Sequence, residues 1–223
     1  MRLLLTSAGI TNATIHAALL DLLGKPIAES SALCIPTAGY GHPETTPENA
    51  WRFISGNEPR CPMVELGWRK LGVLELTALP SVGDDRWIQW VREADVLLVN
   101  GGDALYLHHW MRESGLADLL PSLDDTVWLG LSGGSMVMTP RIGQEFVGWR
   151  QPSGGDEALG VVDFSIFPHL EHPELPSNTM ANAERWAAAI AGPAYAIDDA
   201  TAIVVRDGNV EVLSEGRWKQ FSA

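Results

Sequence analysis

Cysteine, basic charge and long apolar runs are all scarce in this 223-residue sequence, and each shortage removes a class of explanation. Two cysteines, Cys34 and Cys61, form no CxxC pair. A disulfide framework or thiolate zinc site is therefore not expected, and a reducing cytoplasm is the natural setting. The six histidines (His16, His42, His108, His109, His169 and His172) form no HExxH. His169 and His172 bracket Glu171, but Pro168 and Pro173 break any helical ligand face, so neither a metal nor a cofactor is expected. Lys and Arg number 15 against 28 Asp and Glu, a formal charge of −13, and no basic stripe is interleaved with aromatics. Nucleic acid is not an expected partner. The opening MRLLLTSAG turns polar at Thr6 and Ser7, too soon for a signal-peptide core or a spanning helix, so neither export nor a membrane partner is expected.

What is present is apolar and evenly distributed. Hydrophobic residues make up 46% of the chain, enough for a sizeable core, and no linker or internal repeat divides residues 1–223, which predicts one domain. Strand-length apolar runs at 2–6, 31–36, 73–79, 95–100, 127–132 and 201–207 alternate with helical patterns at 13–24, 47–56, 84–94, 104–115 and 178–192. Such alternation predicts an α/β fold with a mostly parallel sheet sandwiched by helices. Asp207-Gly208, between two short alternating runs, predicts a C-terminal β-hairpin. Residues 144–160, rich in Gly and polar side chains, read as a long surface loop. Nine tryptophans, several on the helix candidates, are expected mainly in the core.

VWLGLSGGSMVMTP, residues 127–140, is the most informative stretch. Gly130-Leu131-Ser132-Gly133-Gly134 fits G-x-S-x-G, a nucleophile elbow in which a strand ends, a serine occupies a tight turn and a helix begins. Small neighbours let the backbone fold closely on itself, and the Gly133 N–H is aimed at a developing oxyanion. Asn100-Gly101-Gly102-Asp103 ends another buried strand just before a helix. In an open α/β sheet it lines the same crevice, offering the Gly102 N–H as a second donor. A serine needs a base, and the base an orienting acid. FSIFPHL ends an apolar run at His169, with His172 as rival, and YAIDDATAIVV offers Asp198 and Asp199. The other reading of the two Gly-rich turns is a small-anion-binding module without catalysis.

Taken together, LLLTSAGI, CIPTA, NGGDALYL, GLSGGSMVMTPRIG, EALGVVDFSIFPHL and YAIDDATAIVV resemble the peptidase E family of serine peptidases, family S51. The resemblance runs through most of the chain. It implies a class I glutamine amidotransferase-like fold and hydrolysis of short peptides without a cofactor. It places the nucleophile on Ser132, the base on His169, the acid on Asp199 beside Asp198, and the oxyanion donors on Gly102 and Gly133. It is also compatible with a homodimer. An α/β-hydrolase order would instead recruit Asp156 or Asp163, ahead of His169. Relatives that cut after an N-terminal aspartate carry Thr-Arg where this chain has Thr179-Met180, which removes the carboxylate partner at that place. Arg185, about 1.5 helical turns on, is expected to face elsewhere. An esterase or amidase on the same scaffold would look identical in sequence.

Overall fold

The computed structural model describes all residues except 59, 152, 153, 191 and 223. Seven strands form the central sheet: β1 (Arg2–Thr6), β2 (Ser31–Ile35), β3 (Lys70–Val73), β4 (Val96–Val99), β5 (Val127–Leu131), β8 (Thr201–Arg206) and β9 (Asn209–Ser214). Their spatial order is β3-β2-β4-β5-β1-β8-β9. The five strands from β3 to β1 run parallel, whereas β8 and β9 are antiparallel additions. A second sheet, β10-β7-β6, is built from β6 (Ser165–Phe167), β7 (Ala194–Ile197) and β10 (Trp218–Phe221).

Helices cover both faces of the large sheet, which explains the near-continuous apolar character of its middle strands. Leu3 and Leu5 of β1 enter one core, with Leu97 and Val99 of β4 and Trp128 of β5. Leu4, Val96, Leu98, Val127 and Leu129 enter the opposite core. The first core draws on α4 (Asp84–Arg92), α5 (Ala104–Glu113) and α6 (Leu116–Leu119), and also takes in Phe164, Ile166, Tyr195 and Ile197 from around the small sheet. The second rests on α1 (Ala13–Leu23) and on Phe53 of α3 (Pro47–Ser55). Asn12 caps α1 and Gly24 closes it in the left-handed conformation, while Thr46 and Asn49 form a capping box on α3. These local signals explain why the expected helix boundaries nearly match the observed ones.

Two expectations need correction. The run at 73–79 is strand only at Val73; Leu76–Ser81 winds into a 3-10 helix, because the Glu75 side chain accepts from the Thr77 N–H and Leu76 and Leu79 bury one side of the turn. The helix expected to begin after Ser132 is present as a single turn, α7 (Gly133–Met136). Of the helix tryptophans, Trp87 and Trp186 are buried, but Trp51 and Trp90 are exposed.

The expected hairpin is present. Asp207 and Gly208 both have positive φ, 52° and 77°, joining β8 to β9 in the backbone twist that favours such turns. Residues 144–160 open with a 3-10 turn at Gln144–Phe146, and positions 152 and 153 of that segment lie outside the described residues. Its base is stapled by Asp156, which pairs with Arg141 at 2.7 Å and accepts from the Gly143 N–H at 2.9 Å. Among the described residues, no helix is long and apolar enough to cross a membrane.

Candidate active site

The carboxyl ends of β4 and β5, adjacent parallel strands, deliver the two glycine turns side by side. Ser132 follows β5 with φ 49° and ψ −112°, a positive φ rarely adopted by a residue with a side chain. The turn is held by its neighbours: Ser132 N–H donates to Thr6 O at 2.9 Å, and Ser135 N–H and Met136 N–H return to Ser132 O. Ser135 Oγ donates to Thr6 O at 2.8 Å and accepts from Thr6 N–H at 2.9 Å, locking the elbow to the end of β1. Glycine is required here for contact reasons. A Cβ on Gly130 would overlap the Gly134 carbonyl, and one on Gly134 would overlap Val99 O.

The partner turn, after β4, has Gly102 at φ 130°, pressed so closely on Ala38 O of α2 (Thr37–Gly41) that a Cβ would overlap it. Gly133 in turn abuts the Gly102 carbonyl. Neither the Gly102 N–H nor the Gly133 N–H has a hydrogen-bond partner among the described residues. Two adjacent unspent backbone donors beside a serine form an arrangement that can stabilise an oxyanion.

The small sheet supplies the other two sequence candidates. Because β6 and β7 are parallel neighbours, with Phe167 opposite Ala196, the segments beyond their carboxyl ends emerge together. His169 Nδ1 lies 2.7 Å from Asp199 Oδ1. Since a carboxylate only accepts, Nδ1 carries the proton and Nε2 is left as the basic nitrogen. His169 itself has φ 55°, and its N–H donates to Ser7 Oγ at 3.0 Å, while Ser7 Oγ donates to Ile197 O at 3.0 Å. Buried Ser7 thus ties β1, His169 and β7 together. Sequence reasoning did not single out Ser7, Thr6 or Ser135; the only trace is a run of small polar residues at the end of a buried strand.

The two doubtful pairs separate on geometry. Asp198 turns away from His169: its Oδ1 accepts from Ala200 N–H and Thr201 Oγ1, and its Oδ2 from Arg217 N–H. His172 Nε2 stands 3.5 Å from Asp199 Oδ2, and its Nδ1 accepts from Glu174 N–H at 3.1 Å. His172 therefore approaches the carboxylate from the other side. Asp156 is committed to Arg141 and Gly143, and Asp163 is exposed outside the cavity, so neither offers the α/β-hydrolase order an acid.

Ser132, Gly101, Gly102 and His169 line one cavity of about 900 Å³. Its walls include Phe146, Val147 and Gly148 of the long loop. Cys61 also lines it, but burial, reinforced by the Glu58 and Asp199 carboxylates, pushes its thiol pKa up to about 12. A thiol held protonated is a poor nucleophile, which leaves the serine hydroxyl as the candidate. The Ser132 hydroxyl has no hydrogen-bond partner among the described residues. Around the cavity stand the carboxylates of Glu44, Glu58, Asp103 and Glu145, against a single guanidinium, Arg185, among the described lining residues.

That last residue corrects an expectation. In α8 (Met180–Ile190), Met180 packs with Ala183, Trp186 and Ala187 into an apolar cluster, whereas Asn182 and Arg185 face the cavity. The spacing of three residues puts those two on one helical face, so it is Met180 that turns away.

Comparison with known proteins agrees with this architecture. No curated protein matches the chain. Among solved structures, a protein assigned to peptidase E from Listeria monocytogenes EGD-e superposes with a TM-score of 0.67 at 20% identity, covering 96% of this chain and 98% of its own. A peptidase from an acI-B1 Actinobacterium gives a TM-score of 0.70 at 19% identity, covering 100% of this chain and 94% of its own. The model of peptidase family S51 matches residues 3–213. This chain therefore belongs to peptidase family S51 and is a serine-type peptidase.

Proposed function

We propose that this enzyme hydrolyses short peptides with Ser132 as nucleophile, His169 as general base and then acid, and Asp199 as the group that orients the imidazole. The observation that carries the reading is the 2.7 Å contact of Asp199 with His169 Nδ1, which leaves Nε2 as the basic nitrogen of a ring lining the same cavity as the unpartnered Ser132 hydroxyl. In the reaction, Ser132 Oγ attacks the peptide carbonyl and its proton passes to His169 Nε2. The oxyanion is held by the N–H groups of Gly102 and Gly133. His169 returns the proton to the leaving amine, and water then releases the acyl group by the same route.

Charge around the cavity supports a preference within that class. With four carboxylates and one guanidinium on its described walls, the cavity favours peptides with a neutral or basic first residue over those beginning with aspartate. Met180, half-buried against an apolar cluster, offers an acidic side chain no partner.

The test is a dipeptide panel, with simple esters and amides alongside, run on the wild type and on Ser132→Ala together with labelling by a serine-directed fluorophosphonate. Peptide turnover and labelling that both vanish in the variant support the reading. Turnover confined to esters or simple amides replaces it with another acyl-transfer activity, and wild type inert to substrates and label alike replaces it with small-anion binding at the glycine turns.

A further inference from the structure

Asp103 is almost fully buried, at 4% exposure, although it lines the cavity, and both its oxygens are used. Oδ1 accepts from Leu105 N–H at 2.9 Å and Tyr106 N–H at 2.8 Å, capping α5. Oδ2 reaches across to a different part of the chain and accepts the N–H of Trp149, in the long loop. Its own N–H donates to Ala38 O at 2.9 Å, fixing the backbone directly after Gly102. The loop can approach because position 148 is glycine; a Cβ there would lie 2.7 Å from Asp103 Oδ2. On the far side, Phe146 stacks edge-on against Phe167 at 5.2 Å, and the Trp149 ring meets Tyr106 edge-on at 5.5 Å.

We propose that Asp103 is a positioning residue that fastens the cavity wall at 145–148 to the turn carrying Gly102, so that the substrate-facing wall and the oxyanion donor are set as one piece. An N-cap needs only one acceptor, and serine or asparagine supplies it as well as aspartate. The second oxygen, buried and aimed at a loop 46 residues away, has no part in capping. A buried charge-assisted bond of this kind holds its donor far more firmly than a solvated loop contact does. The catalytic half of this inference rests on the function proposed above; the tie between loop and turn does not.

The experiment compares Asp103→Ser, which keeps a cap on α5 but cannot reach Trp149, with Gly148→Ala, which keeps Asp103 and pushes the loop away. Amide hydrogen exchange is read in both, and kcat and KM are read on the best peptide of the panel. Expected in each variant is exchange at 145–149 about tenfold faster, with the first turn of α5 unchanged. Expected too is a fall of about tenfold or more in kcat/KM, shared between a lower kcat and a higher KM. Unchanged exchange at 145–149 in both variants overturns the tie. Faster exchange with unaltered kcat and KM overturns its catalytic role. Should the wild type cleave no peptide, the exchange measurement still decides the tie, and only the proposed function fails.

Discussion

Asp199 and Asp198 are consecutive in the chain, yet one carboxylate holds His169 Nδ1 at 2.7 Å while the other braces the turn before β10 through Arg217 N–H. Their substitution to asparagine should therefore fail in different ways. Asp199→Asn should lower kcat about 10⁴-fold with the fold intact, the loss expected when a triad acid becomes an amide and the histidine tautomer is no longer enforced. Asp198→Asn should lower stability by about 1 kcal/mol with little change in kcat, because it weakens hydrogen bonds among Ala200, Thr201 and Arg217. Steady-state kinetics beside thermal melts separate the two, and reversed phenotypes would falsify the assignment of the acid.

The two histidines should differ as sharply. Because the Glu174 N–H donates to His172 Nδ1, the neutral ring carries its proton on Nε2, which faces Asp199 Oδ2 at the long distance of 3.5 Å. A contact this long contributes less than about 1 kcal/mol, so His172→Ala should cost under about tenfold in kcat. His169→Ala should abolish turnover. Equal losses would mean that the base has been misidentified.

At the elbow, Gly133→Ala preserves the N–H but forces a Cβ against the Gly102 carbonyl. Separating the two donors should reduce kcat about tenfold to a hundredfold, less than the full loss of a donor, with KM nearly constant. A change confined to KM would place the effect in substrate binding instead.

The charge preference has an ionic signature. Discrimination against an N-terminal aspartate relative to alanine should be strongest at low salt and shrink as the Debye length falls to about 8 Å near 0.15 M. Arg185→Met should strengthen that discrimination, since it removes the only guanidinium on the described walls. Aspartyl dipeptides that outrun neutral ones in the wild type would reverse this expectation.

The loop should also respond to acid through His108. Its Nδ1 lies 3.3 Å from Gln151 Oε1 and its Nε2 accepts from Arg112, and burial, aided by Arg112 and His109, outweighs the opposing Gln151 hydrogen bond and holds its pKa below the ordinary value of 6.5. A depressed histidine favours the neutral folded form. Its contribution is complete above pH 6.5 and is lost as pH falls from there through the folded-state value. Amide exchange around Gln151 should therefore accelerate on acidification below that point, and His108→Gln should flatten the response. An identical pH profile in the variant would exclude His108 as its source.

Much of the fold could be read from local pattern because the deciding physics is local: caps at Asn12, Thr46 and Asp103, the Asp207-Gly208 turn, and apolar runs whose alternate residues face two cores. The run at 73–79 misled because its apolar residues suit a strand covered on both faces, whereas the turn that forms is held by side chains whose placement the run does not reveal: Glu75 accepts from the Thr77 N–H and Thr37 Oγ1 from the Leu76 N–H.

By itself, the sequence determined that a strand ends at a serine framed by glycines and that Pro168 stops an apolar run just ahead of His169, since steric demands between neighbours allow little else. The tertiary structure alone decided which acid meets that histidine, that Arg185 and not Met180 faces the cavity, and that Asp103 reaches Trp149. These choices depend on strand register, helix rotation and loop approach, which are set by packing between segments far apart in the chain.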